Sequence, residues 1–340
     1  MKIAVFEVED WERESLERLG DKHDLSITED TLNQENADTY ADAEIISSFI
    51  YSDLNEKILS RFKGLKMIAT RSTGYSHIDT GYCESKNIAI CNAPDYAQHT
   101  VAEHVFGLLL TISHNITKAV ERTSRGDFSF KGLEGFDLKG KTIGVIGTGD
   151  IGINDIRIAR GFDMDVLAFD LKAEKNLEPE FGFRFVSMEE LLSSSDIITI
   201  HVPGNEKTKN LLSDKQFGMM KRGIVIINTA RGSIIDTNAL MKALSDGKVA
   251  AAGLDVLPEE PVIRDEAELL RSSFQAGYDH QKILADQGLL RLSNVYITPH
   301  SAFYTRDAMQ RLLDTTIKNI NAFAEGKPQN VVVGKEYAQL

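Results

Sequence analysis

The chain has little cysteine, little proline and no long apolar run. Two cysteines in 340 residues, Cys83 and Cys91, build neither a disulfide framework nor a cysteine-based zinc site. No apolar run reaches the roughly 18 residues that span a bilayer. The longest, "HVFGLLLTISHNI", is 13 residues and is interrupted by His and Asn. Basic charge is also in short supply. Against 51 acidic residues stand 38 basic ones, a net charge of -13. That balance speaks against a nucleic-acid or anionic-membrane surface, since both need basic patches. "MKIAVFEVEDW" lacks the pattern of a secretory leader and reads as a first strand. A cytoplasmic, soluble protein with no metal site is expected. Hydrophobic residues at 42% and charged residues at 26% are ordinary for a globular chain, and the length suits two domains.

Short apolar runs alternate with helical patterns. "KIAVFEV", "AEIISSF", "LKMIATRS" and "IAICNAP" form one set of strands. "KTIGVIG", "MDVLAFD", "DIITIHVP", "GIVIINTA", "AAAGLDV" and "NVYITPH" form another. The second set is rich in Val and Ile without alternation, as in strands covered on both faces. A βαβα order that repeats twice predicts an α/β protein with two doubly wound parallel sheets. "YAQHTVAEHVFGLLLTISHNITKAVERTSRGDF" predicts one long helix between them, and "TRDAMQRLLDTTIKNINAFAEGK" a further helix near the end.

"GTGDIG" satisfies G-x-G-x-x-G at Gly147, Gly149 and Gly152. It follows a strand and opens a helix. The next strand ends in Asp170, 18 residues past the last glycine, where a dinucleotide fold places its ribose hook. Gly147 permits the tight turn, Gly149 lets a pyrophosphate approach the backbone, and Gly152 allows close packing of helix on strand. The helix N-terminus offers free N–H groups to the phosphates. Asp170 accepts from both ribose hydroxyls and repels a 2′-phosphate, so NAD is expected rather than NADP.

Three later strand ends carry charged groups. "INTARGSIID" places Arg231, "GLDVLPEEPV" places Asp255, Glu259 and Glu260, and "VYITPHSAFYT" places His300. Ligands of open α/β sheets sit at the carboxyl ends of strands, so Arg231, Glu260 and His300 are the candidate catalytic set. Reduction of a 2-keto acid needs a planar cation to grip the carboxylate and polarise the carbonyl, which suits Arg. It needs an acid that works near neutral pH, which suits His. A carboxylate beside that His favours imidazolium and fixes its tautomer, which suits Glu260, with Glu259 as the alternative.

Over nearly its whole length the sequence resembles the D-isomer-specific 2-hydroxyacid dehydrogenases. The matching blocks are "TRSTGYSHID", "NAPDYAQHTVAEH", "GKTIGVIGTGDIG", "SDIITIHVP", "IVIINTARGSIID", "AGLDVLPEEP" and "NVYITPHSAFYT". "PHSAFYT" and the stretch from about Val262 to Ser293 look most like the D-lactate dehydrogenase branch. The resemblance implies a Rossmann-type cofactor domain, residues 100–299, inserted into a flavodoxin-like substrate domain, residues 1–99 and 300–340. It implies that Arg231 binds substrate, that Glu260 pairs with His300, and that His300 is the acid/base. Backbone N–H groups of Thr73 and Gly74 would hold the substrate carboxylate, with Tyr51 and Phe303 lining the side-chain pocket. Asp150, Ile151, Asp170, Val202, Pro203, Thr208, Thr229, Ala230 and Asp255 would contact NAD, beside the three glycines. A homodimer through the cofactor domain is implied.

The first expectation for function is NAD-dependent D-lactate dehydrogenase acting on pyruvate. The alternatives are a dehydrogenase for larger branched or aromatic 2-keto acids and, remotely, a non-enzymatic NAD sensor of the same fold. Two acids depart from the family pattern. Asp150 stands where the family usually has Arg, His or another non-acidic residue. Asp155 stands where it usually has a small or aliphatic one. Positions 155, 156 and 159 share the helix face toward the sheet. Partial burial of an unpaired Asp155 is therefore expected, with Asp155→Val stabilising.

Overall fold

A computed structural model describes residues 1–258 and 288–334. The chain forms two compact units, Met1–Tyr96 with the residues from Thr305 onward, and Ala97–Tyr304. The chain thus passes between them twice. The expected domain limits, 99/100 and 299/300, lie a few residues from these.

The first unit holds a six-stranded sheet of order β13-β5-β4-β3-β1-β2. Its strands are β1 (Lys2–Val5), β2 (Asp24–Ile27), β3 (Ile45–Ser48), β4 (Met67–Thr70), β5 (Ala89–Cys91) and β13 (Val331–Val333). Five are parallel. β13, a short strand that the sequence analysis does not pick out, runs antiparallel to β5 at the sheet edge. The sheet is covered on both faces. Ala4, Ile46, Ile68 and Ile90 enter one apolar cluster, while Ile3, Val5, Ile45, Met67 and Cys91 enter the other. The second cluster also takes Leu313 and Ile320 from the helix Arg306–Ala324, so the late helix returns to the first unit.

The second unit holds seven parallel strands in the order β12-β11-β10-β9-β6-β7-β8. They are β6 (Thr142–Ile146), β7 (Asp165–Phe169), β8 (Arg184–Phe185), β9 (Ile197–Ile200), β10 (Ile224–Asn228), β11 (Val249–Leu254) and β12 (Val295–Ile297). Numbered from β6, this is the 3-2-1-4-5-6 order of the dinucleotide fold with one strand added. Neighbouring residues again go to opposite faces. Ile226 lies in one core cluster and Val225 and Ile227 in the other. That explains the unbroken apolar runs in the sequence.

The single long helix expected after Tyr96 is two helices, Gln98–Ser113 and Ile116–Ser124. Asn115 breaks it in the left-handed region, at φ 50°. Asn tolerates that conformation, and its side-chain amide donates to the Glu134 carbonyl at 3.1 Å. Among the described residues no helix is long and apolar enough to cross a membrane.

Candidate active site

The glycine turn joins β6 to the helix Asp150–Gly161. Gly147 has φ 99°, and a Cβ there would lie 2.8 Å from the His201 carbonyl carbon. Both facts demand glycine. A Cβ on Gly152 would lie 2.1 Å from the Gly147 carbonyl oxygen, so the close packing is of helix on turn. A Cβ on Gly149 would meet nothing within 4 Å. Open space over that backbone, at a helix N-terminus, suits a pyrophosphate.

Asp170 ends β7 as expected. One oxygen accepts from the Thr148 N–H at 2.8 Å and its hydroxyl at 3.1 Å, the other from the Lys172 N–H at 2.8 Å. Burial pushes the Asp170 carboxyl up, but the donors of Thr148 and Lys172 outweigh it and hold it below the usual range. Thr208 folds the loop beyond β9, its hydroxyl donating to the Pro203 carbonyl at 2.6 Å. Val202 is half-buried and Pro203 exposed on the same loop. After β10, the Ala230 N–H donates to the Asn228 side chain at 3.0 Å. The Thr229 hydroxyl is buried and has no partner among the described residues. An orphaned donor and the open space at Gly149 both fit a bound dinucleotide.

Arg231 follows β10 by three residues, Asp255 follows β11 by one and His300 follows β12 by three. These are adjacent parallel strands, so the three residues leave one edge of one sheet. Arg231 is exposed, its guanidinium donating to the Ala230 carbonyl at 2.6 Å. A Cβ on Gly232 would lie 2.1 Å from the Leu257 carbonyl carbon. The chain after Arg231 therefore touches the chain that leads to Glu259 and Glu260, which lie outside the described residues.

Asp255 is 1% exposed. Its carboxylate accepts from the Thr298 hydroxyl at 2.5 Å and from the N–H groups of Ser301 and Ala302 at 2.9 Å each. His104 reaches the same Thr298 hydroxyl at 3.0 Å. Asp255 was expected as a cofactor contact, and its oxygens serve the segment around His300. His300 itself is half-buried with φ 52°, a conformation uncommon for a residue with a Cβ. The two N–H bonds just after it to Asp255 hold that conformation. The Phe303 ring sits edge-on, 6.3 Å from the imidazole.

In the first unit, Thr73 and Gly74 are exposed just past β4. The Thr73 side chain donates to the Ala93 carbonyl and the Asn92 amide to the Thr73 carbonyl, fixing the loop. Neither the Thr73 nor the Gly74 N–H meets an acceptor among the described residues. Tyr51 lies beyond β3 and is 60% exposed.

The two unusual acids differ. Asp150 is exposed in the first turn of its helix, where negative charge is favourable. Ile151 beside it is half-buried. Asp155 is wholly buried with Ile156 and Ala159, as the spacing implies. The expectation that it is partly buried and unpaired is corrected. Its Oδ2 lies 3.0 Å from Nε2 of His201, whose side chain is 1% exposed. That same Nε2 is 2.9 Å from the Thr199 hydroxyl, and the other Asp155 oxygen has no partner. Residues 155 and 201 are far apart in the chain, so the pairing is not legible from the residues alone. The signal available was a charged residue on an apolar helix face, which needs a partner.

Residues 106–302 match the model of the D-isomer-specific 2-hydroxyacid dehydrogenase NAD-binding domain. A 2-hydroxyacid dehydrogenase homolog of Haemophilus influenzae is 34% identical, covering 98% of this chain and 99% of that one. A glycerate dehydrogenase of Methylorubrum extorquens is 36% identical over 81% of each chain. The crystal structure of D-lactate dehydrogenase from Aquifex aeolicus, complexed with NAD and lactic acid, superposes with a TM-score of 0.83. It is 33% identical and covers 98% of this chain and 99% of that one. The chain belongs to the D-isomer-specific 2-hydroxyacid dehydrogenases. It is an NAD-dependent oxidoreductase with a Rossmann cofactor domain.

Proposed function

We propose that the protein is an NAD-dependent D-lactate dehydrogenase, interconverting pyruvate and D-lactate. The observation that carries the reading is the set of adjacent strand ends after β10, β11 and β12. It puts Arg231 and His300 on one edge, with His300 held in a left-handed conformation by Asp255.

NAD, when bound along the glycine turn, supplies or accepts the hydride. The residues that would hold it are Gly147, Gly149, Asp150, Ile151, Gly152, Asp170, Val202, Pro203, Thr208, Thr229, Ala230 and Asp255. Asp170 selects the unphosphorylated ribose. Arg231 grips the substrate carboxylate with its planar fork and polarises the carbonyl. His300 gives its proton to the carbonyl oxygen as negative charge develops there. Glu260 keeps the imidazole protonated and oriented. The Thr73 and Gly74 N–H groups take the carboxylate, while Tyr51 and Phe303 bound the side chain. In the oxidative direction His300 takes the hydroxyl proton.

A second reading is a dehydrogenase for larger 2-keto acids. It is favoured by the 60% exposure of Tyr51, whose ring does not by itself close a small pocket. We also propose a cytoplasmic homodimer formed through the cofactor unit. The exposed Ile116, Val120, Phe128 and Phe130 of that unit support it, and light scattering tests it. The test of substrate is a panel of pyruvate, hydroxypyruvate, glyoxylate, 2-ketoisocaproate and phenylpyruvate with NADH, followed by absorbance. Highest kcat/KM with pyruvate supports the first reading; highest kcat/KM with a branched or aromatic acid replaces it with the second.

A further inference from the structure

The first unit contains a buried charged cluster that the proposed chemistry does not use. Its centre is Glu7, two residues past β1 and 9% exposed. Glu7 adopts φ 58°, again uncommon for a residue with a Cβ. One carboxylate oxygen accepts from the Tyr51 N–H at 2.9 Å. The other accepts from the Ser52 N–H at 2.9 Å and from the Ser52 hydroxyl. The Ser52 oxygen in turn accepts from the Leu32 N–H at 2.8 Å. Below, the wholly buried Arg71 donates to the Phe6 and Glu7 carbonyls at 2.8 and 2.7 Å, which holds the kinked backbone. Arg71 also pairs with the buried Glu12 at 3.5 Å.

The place of this cluster matters. In the sheet order, β1 and β3 are the neighbours from which the strands run outward in opposite directions. That is the topological switch point, where open α/β sheets bind ligands beyond their carboxyl ends. Tyr51 stands there with its backbone fixed by an ionisable side chain and its ring exposed. The ring's only ring partner among the described residues is Phe49, 5.7 Å away and edge-on. The anchor of Tyr51 is therefore the Glu7 carboxylate.

We propose that Glu7 is a positioning residue for substrate selection: by fixing the Tyr51–Ser52 backbone it sets where the Tyr51 ring stands, and so which 2-keto acid side chains are accepted. This rests on the reading of Tyr51 as a pocket wall. Glu7→Gln is the informative change, because it alters one group only. A carboxamide keeps one acceptor for Ser52 but turns its NH2 toward the Tyr51 N–H, so that bond is replaced by donor facing donor.

The experiment measures kcat/KM for pyruvate and for 2-ketoisocaproate with the full-length wild type, Tyr51→Ala, Glu7→Gln and Ser52→Ala, and NADH affinity by fluorescence. Partial unfolding lowers both rates together, so their ratio isolates positioning from stability. Tyr51→Ala is expected to shift the ratio toward the larger acid by about tenfold, and Glu7→Gln by about fivefold in the same direction. NADH affinity is expected to be unchanged in both. A Tyr51→Ala ratio equal to wild type overturns the pocket reading and the proposal with it. A shifted Tyr51→Ala with an unshifted Glu7→Gln overturns the proposal alone. If Glu7→Gln does not fold, Ser52→Ala decides: it loses the hydroxyl bonds to Glu7 and Leu32 but keeps both N–H bonds to Glu7, so a smaller shift of the same sign supports the proposal, and no shift overturns it.

Discussion

Asp155 and Asp255 are both buried in the cofactor unit, at 0% and 1% exposure, and they are satisfied in opposite ways. Asp255 lies at a strand end, where the chain turns and backbone N–H groups are free. It collects two of them and a hydroxyl, using both oxygens. Asp155 lies on a helix face, where every backbone donor is already spent. It finds one ring nitrogen and leaves one oxygen unpaired. A buried carboxylate is thus well served where secondary structure ends and poorly served along its sides. Glu7 in the first unit obeys the same rule, being a strand-end acid that takes N–H groups from the end of a neighbouring strand.

The largest expected effect tests whether the strand-end acid has catalytic meaning. His300→Gln should lower turnover by roughly a hundredfold or more, with NADH affinity little changed. Stopped-flow rates near wild type would leave Asp255 bracing a loop of no chemical consequence. Next comes Asp255→Ala, which strands the N–H groups of Ser301 and Ala302. Turnover should fall about tenfold or more as His300 loses its held backbone, and stability by about 2–3 kcal/mol. A variant that melts lower but turns over normally would separate the scaffold from the chemistry.

Asp155→Val removes the acid that pairs with His201. Had Asp155 been unpaired, the change would stabilise. With His201 as partner the sign reverses, and a loss of about 1–3 kcal/mol is expected. A denaturant melt with an unchanged or higher midpoint would mean that the orphaned oxygen costs more than the ring bond contributes. The smallest effect concerns Asp170, a half-buried strand-end acid. Asp170→Ala should reduce the preference for NADH over NADPH by about tenfold. Its folded carboxyl sits below the usual range, so its stabilising contribution is present above the unfolded value and is lost as pH falls through the folded one. Asp170→Asn should accordingly flatten the acid limb of a stability profile; an unaltered limb would contradict the assignment.

The same contrast explains what could be read from the residues alone. The glycine turn was legible because two of its glycines answer local demands, a positive φ at 147 and a 2.1 Å approach at 152, while Gly149 leaves open space over its backbone. The central strands were legible from their unbroken Val and Ile runs. Strands β2 and β8 were not, since each is an edge strand, covered on fewer sides and short of apolar residues. The break at Asn115 was hidden because a single Asn is a weak stop signal; the structure shows it in the left-handed region with its amide donating to the Leu133 and Glu134 carbonyls. The charged residues at strand ends were found by position. The partners of Asp155 and Glu7 were not, because each lies more than forty residues away, in contacts that only the folded sheets create.

The cysteines, sparse as they are, are distributed usefully. Cys83 and Cys91 both belong to the first unit, both are buried, and burial pushes each thiol up to about 12. The cofactor unit has none. A thiol-reactive dye is therefore inert toward the folded chain and reacts only when the first unit opens. Labelling rate becomes a clock for that unit alone, readable without mutation. Adding NADH should leave the clock unaltered if the units open independently, and slow it if the cofactor's binding energy is shared by both.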